Sequence, residues 1–112
     1  MIDDVNPDSH DLSDPAVRRA VLNTETAKIP WRELQRYFAA GSAISVAPDL
    51  DLVDVGSEVV ADNRAKMEMW IGAGKVGPVS DQQAAEWYEA NALMWAVVLS
   101  PWVFVQPILR EQ

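Results

Sequence analysis

Asp49, Asp51, Asp54 and Glu58 fall between Pro48 and Val59 and form the densest group of side chains able to do chemistry. On a helix, Asp51, Asp54 and Glu58 share one face at i, i+3 and i+7. Three carboxylates so placed could offer oxygen ligands to Mg²⁺ or Ca²⁺. The calcium loop of helix-loop-helix sites also needs a central glycine and a bidentate acid at its twelfth position, and neither is in place. The simpler assignment makes Asp51 the cap of a helix and leaves the other acids to solvate its outer face. That assignment is preferred. A small metal- or ligand-dependent enzyme using the Asp49–Glu58 carboxylates stands as the alternative.

Nucleophilic catalysis is hard to assemble from this chain. Its single histidine, His10, lies in a segment with no periodic apolar pattern, so nothing fixes the imidazole toward a serine. A triad needs its base within hydrogen-bond reach of the nucleophile and held by a third group. Cysteine is absent, which removes thiolate nucleophiles, thiolate metal ligands and disulfides together. Gly72, Gly74 and Gly77 lack the strand-to-helix setting of a phosphate-cradling loop. No cofactor motif is present.

Five tryptophans in 112 residues suit binding as readily as packing. Trp31, Trp70 and Trp87 fall on helical apolar stripes and are assigned to the core. Trp102 is the candidate for an interface. It follows Pro101 directly and shares a strand face with Phe104 and Gln106, the two other interface candidates. If the strand at 102–106 lay at a sheet edge, its unpaired backbone could template a second copy.

These groups depend on the elements that carry them. Residues 1–13 read as a flexible acidic arm, rich in Asp and Asn-Pro punctuation. A single globular α+β domain should follow over 14–108. Asp14-Pro15 starts a helix over 15–28, with Val17, Val21, Leu22 and Ile29 on one face. Pro30 opens a second helix whose stripe is Trp31, Leu34 and Phe38, and Gly41 closes it. A strand over 43–47 ends at Pro48. Leu52, Val55, Val59 and Val60 fit a helix over 51–61, and Asp62-Asn63 caps the next, which carries Met67, Trp70 and Ile71 on one face. Gly77-Pro78 marks a turn. Ser80 with Gln83 forms a capping box for a helix over 81–91, with Ala84, Trp87, Tyr88 and Asn91 on one side. Two strands, 95–99 and 102–106, complete the chain; both faces of the first are apolar, as expected of a central strand. The expected fold is therefore about five short helices on a small two- to three-stranded sheet built from 43–47, 95–99 and 102–106. Residues 44–52 faintly echo 97–105, each copy bending at a proline.

Charge narrows the partner. The chain carries a formal net charge of −8, whereas phosphate binding needs Lys and Arg to release counterions. Arg18, Arg19, Lys28, Arg32 and Arg36 make a basic stretch over 15–40, but the balance of the whole chain disfavours nucleic acid. The 13 positions from Leu93 to Val105 are the longest apolar stretch and are interrupted by Ser100-Pro101. That is short of the roughly 20 residues a membrane helix needs. With no signal-peptide pattern at the N-terminus, the expected location is the cytoplasm.

Three blocks of this sequence carry a family resemblance. They are Glu25-Thr26-Ala27-Lys28-Ile29-Pro30-Trp31-Arg32-Glu33-Leu34-Gln35-Arg36-Tyr37-Phe38, Val46-Ala47-Pro48-Asp49-Leu50-Asp51-Leu52-Val53, and Leu93-Met94-Trp95-Ala96-Val97-Val98-Leu99-Ser100-Pro101-Trp102-Val103-Phe104-Val105-Gln106. Together they resemble an uncharacterised bacterial family, domain of unknown function 2288, from about Leu22 to Gln106. The resemblance implies a bacterial origin and a small stand-alone protein. It supplies no activity, cofactor or catalytic residue. The residues themselves favour a non-enzymatic interaction module, with an unidentified protein or a second copy as its partner.

Overall fold

The fold, a computed structural model, is described for residues 12–108. His10 and most of the expected acidic arm, residues 1–13, lie outside the described residues. The first helix, α1 (Pro15–Glu25), begins as the sequence predicts: Asp14 Oδ1 accepts from Ala16 N at 2.9 Å, and Pro15 follows the cap. It ends sooner than expected. The Thr26 hydroxyl donates to Leu22 O at 2.7 Å and its N–H donates to the same carbonyl, closing the last turn. The chain then extends into strand β1 (Ala27–Pro30). Ile29 fits the helical stripe, but the proline after it favours extended backbone. At the sheet edge, β1 also tolerates the N–H that Pro30 lacks.

A 3₁₀ turn (Trp31–Leu34) and the short helix α2 (Gln35–Ala39) follow, then strand β2 (Ala43–Val46). Helices α3 (Leu52–Val60) and α4 (Arg64–Gly72) lead to strand β3 (Val76–Pro78). Helix α5 (Asp81–Glu89) and the antiparallel pair β4 (Leu93–Leu99) and β5 (Trp102–Pro107) complete the chain. Ser80 and Gln83 form the expected capping box before α5. The sequence echo ends in different structures: Pro48 leads into α3, and Pro101 sits in the β4–β5 hairpin.

Helices α2 to α5 end alike. Gly41, Asp62, Gly74 and Asn91 adopt positive φ, and the N–H of each following residue reaches back to a carbonyl of the last turn. Glycine enters that conformation freely, whereas Asp and Asn do so at modest cost. Asp62 thereby makes the tight corner that folds α4 back beside α3.

The sheet has five strands in the order β1-β4-β5-β2-β3, and only the β2–β5 pair is parallel. This corrects the expected two- to three-stranded sheet. In sequence, β1 looks like the tail of a helix over 15–28, and β3 like the Gly77-Pro78 turn. With three residues, Val76-Gly77-Pro78, β3 has no alternation to betray it; its identity comes from pairing with Ile44, Ser45 and Val46. The edge position considered for 102–106 is overturned as well, because β5 bonds to β4 on one side and β2 on the other. The edges belong to β1 and β3.

Both faces of the sheet are covered. The 3₁₀ turn, α2 and α5 bring Trp31, Leu34 and Ala84 onto Met94, Val103 and Val105. Helices α1, α3 and α4 bring Leu22, Val55 and Trp70 onto Val46, Val97 and Phe104 on the opposite face. Alternation along β5 therefore sends Val103 and Val105 to one layer, and Trp102, Phe104 and Gln106 to the other. Among the described residues, no helix is long and apolar enough to cross a membrane.

Candidate functional site

The carboxylates that could do chemistry are each engaged with a neighbour. Asp51 caps α3, its Oδ1 accepting from Val53 N at 2.9 Å, while Oδ2 lies 3.7 Å from Arg19 Nη2. Asp54 pairs with the same guanidinium. Glu58 Oε1 accepts from Asn63 Nδ2 at 2.9 Å across the α3–α4 corner. Asp49 pairs with Lys75, whose hydrogen bond and charge hold the carboxyl below its ordinary value. The four acids thus point to three different partners. Among the described residues, no three Asp, Glu or His side chains gather as a metal site.

The arginines divide between the two faces of the sheet. Arg18 and Arg19 ride on α1, whereas Arg32 and Arg36 belong to the opposite layer. Arg18 is itself buried, its Nε donating to Ser57 Oγ at 2.9 Å and its Nη1 to Leu12 O at 2.7 Å. Arg32 lies over the Tyr88 ring and donates twice to Tyr88 O, and Arg36 stacks on Tyr37. Tyr88, expected on the same side of α5 as Ala84 and Trp87, is exposed beneath that guanidinium, whereas Ala84 is buried.

The three interface candidates on β5 have separate fates. Gln106 is buried, and its Nε2 donates to Ala47 O at 2.8 Å and Leu50 O at 2.6 Å. It ties down the loop that leads into α3. Phe104 is buried in the sheet and paired across to Ile44 and Val97. Trp102 alone reaches water, with 42% of its surface exposed. Trp31, by contrast, is wholly enclosed between Phe38 and Trp87 and donates its indole N–H to Ala84 O at 3.1 Å.

Trp102 opens onto an apolar groove of about 360 Å³. Its floor is the cross-strand row Pro78, Ile44 and Phe104, contributed in turn by β3, β2 and β5. Val59 at the end of α3 forms one wall, and Met67 and Ile71 of α4 form another. The left-handed turn at Asp62 and the Asn63 cap aim α4 along the groove, and Asn63 Oδ1 accepts from Lys66 N at 3.2 Å. Asp62, Arg64 and Glu68 supply a charged rim. Ile71 is 56% exposed and Trp102 42% exposed, so two large apolar side chains of the lining face water. Sequence spacing puts Met67 and Ile71 on one face of α4 with Trp70, but only Trp70 is buried; Gly77-Pro78, which reads as a turn in the sequence, supplies the β3 part of the floor.

The profile of the family described as "Protein of unknown function (DUF2288)" matches residues 17–107. The chain belongs to this family. Its fold recurs in the solution NMR structure of PA1075 from Pseudomonas aeruginosa, at 36% sequence identity and a TM-score of 0.74. That match covers 93% of this chain and 96% of the Pseudomonas protein, so the family fold extends over nearly the whole of both. No curated protein matches the chain. Family membership therefore establishes the fold and brings no activity with it.

Proposed function

We propose that this domain is a small protein-interaction module whose groove receives an apolar side chain of its partner. The observation that carries this reading is Trp102, half in water beside a hollow with an apolar floor and walls. Exposed aromatic rings at the edge of an apolar pocket are the usual anchors of protein contacts, because they bury a large area at little entropic cost. Polar residues around such a pocket exclude water and orient the partner. Asp62, Arg64 and Glu68 stand in that position here.

Binding rather than catalysis also suits the groove's chemistry. Its lining is mostly apolar, and the charged side chains among it, Asp62, Arg64 and Glu68, are exposed. The experiment is site-specific photocrosslinking in cells, with a photoreactive amino acid placed at Ile71 and, as control, at Glu86 on the opposite layer. A discrete adduct from Ile71 and none from Glu86 is the expected result. Equal labelling from both positions, or none from either, removes the groove as the contact surface.

A further inference from the structure

The rim of the groove carries both halves of a contact on one surface. Trp102, 42% exposed, stands in its lining beside a hollow that could receive such a ring. Helix α4 presents Arg64, Met67, Glu68 and Ile71 at i, i+3, i+4 and i+7, a single stripe in which apolar residues alternate with opposite charges. Arg64 lies 3.7 Å from Asp62 of its own chain at the exposed start of the helix. Turned antiparallel about a two-fold axis near Lys66, that stripe complements itself, with Arg64 of each copy opposite Glu68 of the other. A two-fold contact uses every such pairing twice.

Charge argues for this partner over a basic one. A surface built to draw a basic partner to a chain of net charge −8 would carry a uniformly acidic rim. This rim mixes its signs. We infer, taking the groove to be the contact surface, that its occupant is a second copy of the chain, docked with Trp102 and Ile71 of each copy against the groove of the other. The rim charges fix the register of the pair, and the apolar contact supplies the affinity.

Light scattering from about 10 µM to about 1 mM tests the inference. The mass should rise from 12.4 kDa toward twice that value. Added salt should preserve or strengthen the dimer, because screening relieves repulsion between two acidic chains and leaves the apolar contact intact. Ile71→Lys alters an exposed position, so it should keep the fold and hold the mass at the monomer value. Arg64→Glu should weaken association several-fold, and Arg64→Glu combined with Glu68→Arg should restore it. A wild-type monomer at the highest concentration overturns the inference, as does a dimer that Ile71→Lys leaves unchanged. If that monomer still cross-links through Ile71 to another protein, the second copy alone is refuted. If it cross-links to nothing, the groove falls too.

Discussion

Replacing Trp102 by alanine separates a side chain used for contact from one used for packing. An indole spans up to about 250 Å², and 42% of Trp102 is in water. Roughly 145 Å² is therefore covered by the protein, an area that corresponds to about 3.5 kcal/mol at about 25 cal/mol per Å². The unfolded chain already hides part of that surface, which brings the expected loss to about 2–3 kcal/mol. A domain of this size has about 5–15 kcal/mol of stability, so Trp102→Ala should remain folded. Its Tm should fall by roughly 10–20 °C. Trp31→Ala is the control. That ring is fully enclosed, makes edge contacts to Phe38 and Trp87 with centroids at 5.8 and 5.1 Å, and donates a hydrogen bond to Ala84 O. Its loss should cost about 5 kcal/mol or more, enough to unfold a marginal domain. Circular dichroism melts of the two variants at low micromolar concentration provide the assay. A Trp102→Ala chain unfolded at 25 °C beside a folded Trp31→Ala chain would refute the reasoning.

Other consequences concern the polar groups. Gln106→Leu removes the donor shared by Ala47 O and Leu50 O and should cost about 2 kcal/mol, read as a lower urea midpoint; an unchanged midpoint would show that the loop holds without it. The Asp49 pKa is depressed in the folded state, so the pairing with Lys75 stabilises fully above the ordinary carboxylate pKa and fades as pH falls through the depressed value. Lys75→Met should raise the Asp49 pKa toward the ordinary value in an NMR titration, and no change would exclude Lys75 as the cause. Mg²⁺, Mn²⁺ and Ca²⁺ should leave the Tm unchanged, because a ligand stabilises only the state it binds. A rise of several degrees that disappears in Asp51→Asn and Asp54→Asn would instead support a metal site on α3.

The helix boundaries set by local chemistry were legible in the sequence. Asp14-Pro15, Asp51, the Asp62-Asn63 pair (of which Asn63 is the cap) and the Ser80–Gln83 box work through neighbours within four residues, so spacing reveals them. What escaped is set by partners distant in sequence. Val76-Gly77-Pro78 resembles a turn until β2 lies beside it, and Ala27–Pro30 resembles a helix tail until β4 does. The central place of β5 follows from its parallel pairing with β2, which no local pattern encodes. The candidate site divides in the same way. Alternation correctly put Trp102, Phe104 and Gln106 on one face, but how much of each is covered depends on where α3 and α4 stop. Phe104 is buried with Leu52 and Val55 of α3, whereas Trp102 stays 42% exposed. Gln106 lies near the start of that helix, where its amide ties down the entering loop. Burial of Arg18 has the same origin, since Ser57, which receives it, lies 39 residues away.

The most direct test of the groove as a self-association surface is the fluorine spectrum of the 5-fluorotryptophan-labelled protein during dilution. Five resonances are expected, one for each of Trp31, Trp70, Trp87, Trp95 and Trp102. The resonance lost in Trp102→Phe should move steadily with concentration, while that of enclosed Trp31 stays fixed. A Trp102 signal that holds its position across the whole range would contradict the account.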